Sequence, residues 1–142
     1  MKILIDTCII LDALQDRKPF SEDAQNIFLA VANQKVQGFL SAKSVTDLYD
    51  LLHRHTQSNQ ESRKILNKLF VLFGILDTTA EDCRKAVFSE MNDYEDAVMA
   101  ESALRCDMDG IVTRNTKDYE KAAIPIFSPK QLLEKIENNV DE

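Results

Sequence analysis

Asp6 closes the most apolar short run of the chain, Ile3-Leu4-Ile5. Ligands of an open α/β sheet bind outside the carboxyl ends of its strands, so a carboxylate in that place should lie in the mouth of the sheet. An Asp ending a strand can also simply cap the next turn. Asp47, Asp96 and Asp118 each stand three residues after a capping residue type, Ser44, Asp93 and Asn115, so each is open to a helix-capping reading too. Thr79 with Asp82 has the same local pattern and serves as a control. With the third strand at the far edge of the sheet, Asp82 lies about 10 Å sideways from the first strand. Position in the sheet, not local pattern, must therefore choose among the acids. Carboxylates ~4 Å apart repel by about 4 kcal/mol at an effective dielectric of about 20, so acids sharing a pocket raise a pKa or recruit a cation. Oxygen donors suit a hard ion, Mg²⁺ or Mn²⁺.

The elements that must position these acids are legible as alternation. Ile3-Leu4-Ile5, Phe39-Leu40, Ile75-Leu76, Ile111-Val112 and Ile124 to Phe127 read as strands, and the segments between them carry apolar residues at helical spacing. Ala24, Ile27, Phe28 and Val31 make one such face, and Ile65, Leu69, Leu72 and Phe73 another. Strand and helix in turn predict a parallel sheet covered on both faces. Gly38, Gly74 and Gly110 each precede a strand, where a left-handed residue would end the preceding helix. Ser128-Pro129 marks a further helix start. Pro125 lacks a ladder donor, which predicts a strand at the sheet edge. The acidic end, 134–142, is expected to fray.

Composition narrows the chemistry. The 142 residues suit one domain, and folding can bury roughly 68% of the unfolded surface, so no disulfide is needed. Three glycines cannot build a phosphate loop or a dinucleotide turn. Cys8, Cys83 and Cys106 show no CxxC spacing, and His53 and His55 are the only histidines, which disfavours a zinc site. Seventeen Lys and Arg against 24 Asp and Glu leave a net charge of −7, so nucleic-acid binding must rest on a local basic patch or on bound cations. No apolar stretch approaches a membrane span, and no signal peptide is seen.

The segments 5–12 (IDTCIILD), 44–48 (SVTDL), 93–100 (DYEDAVMA) and 113–119 (TRNTKDY) resemble, in order and spacing, the PIN domain, and the chain has the size of the stand-alone VapC-like toxin nucleases. The resemblance implies a three-layer α/β/α fold over 1–142, with about five parallel strands in the order 3-2-1-4-5. It implies a metal-dependent endoribonuclease that uses Mg²⁺ or Mn²⁺, acts in the cytoplasm, forms a homodimer and is neutralised by a small antitoxin. Carried across, the family's first acid is Asp6, its second, usually Glu, is Asp47, and its third is Asp96. The fourth place holds Asn115, with Asp118 the nearest remaining carboxylate. Asp6, Asp96 and Asp118 are then the metal ligands, with Asp47 and Asn115 catalytic beside them. Lys43, Arg114 and Lys117 rim the mouth and are candidate RNA phosphate contacts. Asp93 and Asp12 read as capping or helix-surface residues. Cys8 replaces a common Asn, and the shorter Asp47 and neutral Asn115 weaken the expected ligand set.

Two other readings compete. An aspartyl-phosphate phosphatase needs an Asp two residues after Asp6, where Cys8 stands, and a receiver domain needs a Lys after a late strand that here ends in Phe127-Ser128. The other alternative is a catalytically weakened PIN module that binds RNA or a protein partner.

Overall fold

Ile3, Leu4 and Ile5 are apolar toward both faces of the sheet, as a parallel strand sandwiched by helices requires, and none is more than 1% exposed. The computed structural model describes residues 1–140. It contains strands β1 (Lys2–Ile5), β2 (Gln37–Ser41), β3 (Gly74–Leu76), β4 (Gly110–Val112) and β5 (Ile126–Phe127), all paired in parallel in the order β3-β2-β1-β4-β5. The expected order 3-2-1-4-5 is thus present. Ile5 lies opposite Val112, which brings the carboxyl ends of β1 and β4 side by side.

Helices α1 (Thr7–Leu14) and α2 (Ser21–Ala32) join β1 to β2, and α3 (Ala42–Thr56) and α4 (Asn59–Leu72) join β2 to β3. Helices α5 (Ala80–Ala86) and α6 (Tyr94–Arg105) lead to β4, a 3₁₀ turn spans Thr116–Tyr119, and α7 (Pro129–Val140) follows β5. Alternation along β1 divides the core. Ile3 and Ile5 pack with Ile9, Ile27, Leu48, Leu69 and Leu132 from α1, α2, α3, α4 and α7. Leu4 packs on the other face with Met99 and Ala103 of α6 and with Ile111 and Tyr119.

Several local expectations need correction. None of the glycines has positive φ; Asp16, Gln34, Gln57 and Asp107 supply the left-handed residues after helices instead. The glycines are there for clearance. A Cβ on Gly74 would stand 2.7 Å from the Phe39 ring, and one on Gly110 would stand 2.5 Å from the Phe127 ring and 2.9 Å from the Pro125 carbonyl. Helix α3 is capped by Ser41, not Ser44: the chain turns straight off β2, and the Ser44 amide donates to Ser41 Oγ at 3.2 Å. Pro125 stands just before β5, an edge strand shorter than expected, and its carbonyl accepts from the Ile111 amide at 3.0 Å. The segment expected to fray is helical as far as 140, because Leu132 and Ile136 are buried and Ser128 and Gln131 cap each other reciprocally; residues 141 and 142 lie outside the described residues. Of the other expected caps, Thr79 and Asp82 form a capping box and Asp93 caps α6, whereas Asn115 opens the 3₁₀ turn without a side-chain capping bond.

Candidate metal centre

Asp6 occupies the N-cap position of α1, yet its side chain makes no capping bond. Its backbone amide donates to the Val112 carbonyl at 3.1 Å, which pins it to the end of β4. Its carboxylate accepts instead from the hydroxyl of buried Thr113 at 2.7 Å. Thr113 Oγ1 in turn accepts from the Asn115 amide at 3.0 Å, so one hydroxyl both orients Asp6 and shapes the turn after β4.

Asp96 arrives from the first turn of α6. Asp93 takes the capping bond, accepting from the Asp96 amide at 3.0 Å, and leaves the Asp96 carboxylate free to face the sheet. There it accepts from the hydroxyl of Tyr119, a residue only 1% exposed. Burial, with smaller contributions from the charges of Asp93, Asp6 and Asp118, lifts Asp96 to about 6, although the Tyr119 bond pulls the other way. Tyr119 is pushed far up by burial and by the charges of Asp6 and Asp96, so it stays protonated and remains a donor.

Three other acids, Asp47, Asp82 and Asp12, have cations. Asp47 is exposed and bound by Lys43 at 2.6 Å, and Lys43 also reaches Glu95 at 3.0 Å. Asp82, the control, is buried on Arg105 Nε at 3.0 Å, Ser102 Oγ at 2.8 Å and the Thr79 amide at 3.0 Å. Burial would raise its carboxyl, but Arg105, Thr79 and Ser102 together hold it down at about 2. Asp12, expected on a surface or cap, is completely buried: Arg114 reaches back across the end of the sheet to grip it with Nε at 2.6 Å, and Arg17 stands 3.9 Å away. Among the described residues, Asp6, Asp96 and Asp118 have no Lys, Arg or His within ion-pair distance.

The expected phosphate contacts are divided likewise. Lys43 and Arg114 are engaged by carboxylates, whereas Lys117 is exposed and, among the described residues, has no carboxylate partner. Asn115 is exposed beside Asp6, and burial together with the Asp6 charge pushes the Cys8 thiol up to about 11, so it is protonated at neutral pH. Thr113 and Tyr119 escaped the sequence reading, because a hydroxyl reveals its partner only when strands and turns are assembled. Their one signal is place: Thr113 directly follows β4 and Tyr119 ends the turn that carries Asp118.

The donor set fits a hard divalent ion. Two hydroxyl-braced carboxylates carry no counter-cation and a third is near enough to raise Asp96; the nearby sulfurs are a protonated thiol, Cys8, and the Met99 thioether behind the Tyr119 hydroxyl. Among the described residues no group of three or more His, Cys, Asp or Glu side chains lies close enough together to hold a metal ion, so the expected trio Asp6, Asp96 and Asp118 is not gathered into one ligand set.

The family model described as PIN domain matches residues 2–117. Among curated proteins no relative matches. Solved structures share the fold. VapBC2 from Rickettsia felis, bound to a DNA fragment from its promoter, is similar at 16% identity with a TM-score of 0.67, over 90% of this chain and 98% of that one. FitAcB from Neisseria gonorrhoeae is similar at 21% identity and 0.67, over 90% and 98%. VapC20 of Mycobacterium tuberculosis, a Sarcin-Ricin loop cleaving toxin, is similar at 13% identity and 0.60, over 77% and 86%.

Proposed function

Because the chain belongs to the PIN-domain family, we propose that it is a metal-dependent endoribonuclease, the toxin of a toxin-antitoxin pair. The observation that supports this most strongly is the contrast among these acids: Asp12, Asp47 and Asp82 are matched by Arg or Lys, while Asp96 feels the charges of Asp6 and Asp118 and none of the three has a cation within ion-pair distance. Such a set is costly in isolation and is relieved by a divalent ion.

In this reading Asp6 and Asp96 are the principal oxygen ligands, held in orientation by Thr113 and Tyr119. Asp118 and Asn115 complete the site from the turn after β4. Asp47 stands at the rim with Lys43 and Glu95 and acts through water. A bound Mg²⁺ or Mn²⁺ supplies an activated water and neutralises charge on the leaving 3′-oxygen. Lys117 contacts a flanking phosphate directly, and Lys43 and Arg114 add positive potential from within their ion pairs.

Several solved neighbours are toxin-antitoxin complexes. By analogy, a small antitoxin fills the acidic mouth of this protein, an Arg of the partner pairing with the uncompensated carboxylates. The protein acts in the cytoplasm as a homodimer; among the described residues no helix is long and apolar enough to cross a membrane.

The test is to incubate the protein with structured and single-stranded RNA in Mn²⁺ or Mg²⁺, beside an EDTA control and Asp6→Asn. The expected result is cleavage that both chelation and the substitution abolish. Cleavage that survives either one defeats the mechanism. The neutralisation of Asp47 by Lys43 favours the second reading, a weakened module; RNA binding without cleavage in any metal would establish it.

A further inference from the structure

Arg114, the residue after Thr113, borders a recess with one aromatic wall. Pro19, Phe20, Asp23, Arg114, Pro129 and Lys130 line a hollow of about 330 Å³, near the lower end of the roughly 300–1,000 Å³ range of small-ligand sites. Phe20 is 42% exposed, and the Arg114 guanidinium sits over its ring, 4.1 Å from the centroid. That guanidinium is fixed from behind, because buried Asp12 holds both Nε and a terminal nitrogen at 2.6 and 3.3 Å. A partly exposed arginine gripped by a fully buried carboxylate thus anchors a solvent-exposed aromatic ring. The charge of Arg114 is largely matched by Asp12, and what Arg114 offers the recess is a rigid planar support.

We propose that this recess receives an unpaired nucleobase of the RNA, next to the phosphate held at the acid cluster; the inference rests on the nuclease reading above. A flat ring backed by a guanidinium plane suits a ligand with a π face, and stacking of this kind accepts any base. Lys130 at the rim supplies a positive charge for the nucleotide's own phosphate, and Asp23 accepts from an exocyclic amino group such as that of cytosine. Position completes the case. Arg114 directly follows Thr113, whose hydroxyl binds Asp6, so one short segment after β4 contributes a wall to the recess and a brace to the acids. The recess makes the substrate single-stranded where it is cut, since a paired base cannot enter.

The experiment titrates the full chain, in EDTA, with 2′-O-methyl decacytidylate and with a fully abasic decamer of equal charge. Phe20→Leu should weaken binding of the base-bearing probe between about fivefold and a hundredfold, the usual effect of removing one stacking partner, and leave the abasic chain unchanged. Lys130→Ala should weaken both alike and make the salt dependence of single-strand binding shallower by about 0.7 in log–log slope. Phe20→Tyr keeps the ring and should bind as the natural protein does, which separates loss of stacking from loss of fold. A Phe20→Leu protein that binds both probes normally, as expected if the recess seats a segment of a protein partner, overturns the proposal. So does an equal loss on both probes, or a natural protein that binds neither. Mn²⁺-dependent cleavage abolished by Asp6→Asn is scored separately, so the recess can fail while the nuclease reading stands.

Discussion

Burial and neighbouring carboxylates lift Asp96 to about 6, so the folded, metal-free protein holds a proton there more tightly than the unfolded chain does. The sign follows: the contribution of Asp96 to stability is fully present below about pH 4, where both states are protonated, and is lost as pH rises toward and through about 6. Asp96→Asn removes that burden. It should raise the melting temperature of the metal-free protein by a few degrees at pH 7.5, with the gain vanishing near pH 4, while cutting the further rise that Mn²⁺ gives the natural protein. A thermal scan across pH with and without Mn²⁺ reads all three, and an Asn variant less stable than the natural protein at pH 7.5 contradicts the electrostatic account. Tyr119 acts on the same carboxylate in the opposite direction, since its hydroxyl stabilises the ionised form. Tyr119→Phe should therefore move the acidic limb of Mn²⁺ affinity upward by about one pH unit, the worth of one hydrogen bond to a charge, without loss of fold. An unmoved limb would mean that the hydroxyl serves packing alone.

At the scale of elements, Asp82 shows how one cap is turned into a structural ion pair. It closes the capping box of α5 and joins that helix to α6 through Arg105 and Ser102. Held at about 2, its carboxylate contributes stability that is full above about pH 4 and lost as pH falls through 2. Asp82→Asn should cost roughly 2 kcal/mol in urea denaturation at pH 7, with less difference at pH 2, and leave RNA cleavage per folded molecule intact. Gly110→Ala probes a different constraint. Its Cβ would meet the Phe127 ring and the Pro125 carbonyl, so overpacking should destabilise β4 by about 1–3 kcal/mol in the same assay. These two positions also mark how far the sequence could be read. The capping box of Asp82 is local, three residues wide, and was visible, as was the edge strand from Pro125. The demand on Gly110 is not local, because it comes from a ring on the adjacent strand, and a glycine before a strand looks the same whether it turns the chain or clears a neighbour. Asp12 was misplaced for the same reason: its partner Arg114 is 102 positions away. The acids proposed for the site are singled out by the order of the motifs that resemble the PIN domain, whereas the contacts of Thr113 with Asp6 and of Tyr119 with Asp96 appear only once β4 and its turn are set against β1 and α6.

For the whole molecule, a net charge of −7 decides how an RNA can be approached. Arg17, Lys43, Arg84, Arg105 and Arg114 are each already paired with carboxylates, so these five have less positive charge to offer a phosphate. Lys117 and Lys130 remain as exposed contacts at the mouth. Each phosphate neutralised on a single strand contributes about −0.7 to the slope of log affinity against log salt, so two or three contacts predict a slope of roughly −1.5 to −2. Affinity should also rise when Mn²⁺ replaces EDTA, because an ion among Asp6, Asp96 and Asp118 inverts the sign of the local field where the scissile phosphate must sit. Anisotropy titrations of a single-stranded RNA with Asp118→Asn, in which one negative charge of that cluster is removed, separate the two contributions. That variant should bind RNA better than the natural protein in EDTA and gain less from Mn²⁺, with the salt slope unchanged. A slope steeper than about −4 would demand more phosphate contacts than two or three cations at the mouth can make. Affinity indifferent to Mn²⁺ would place the phosphate away from the acids.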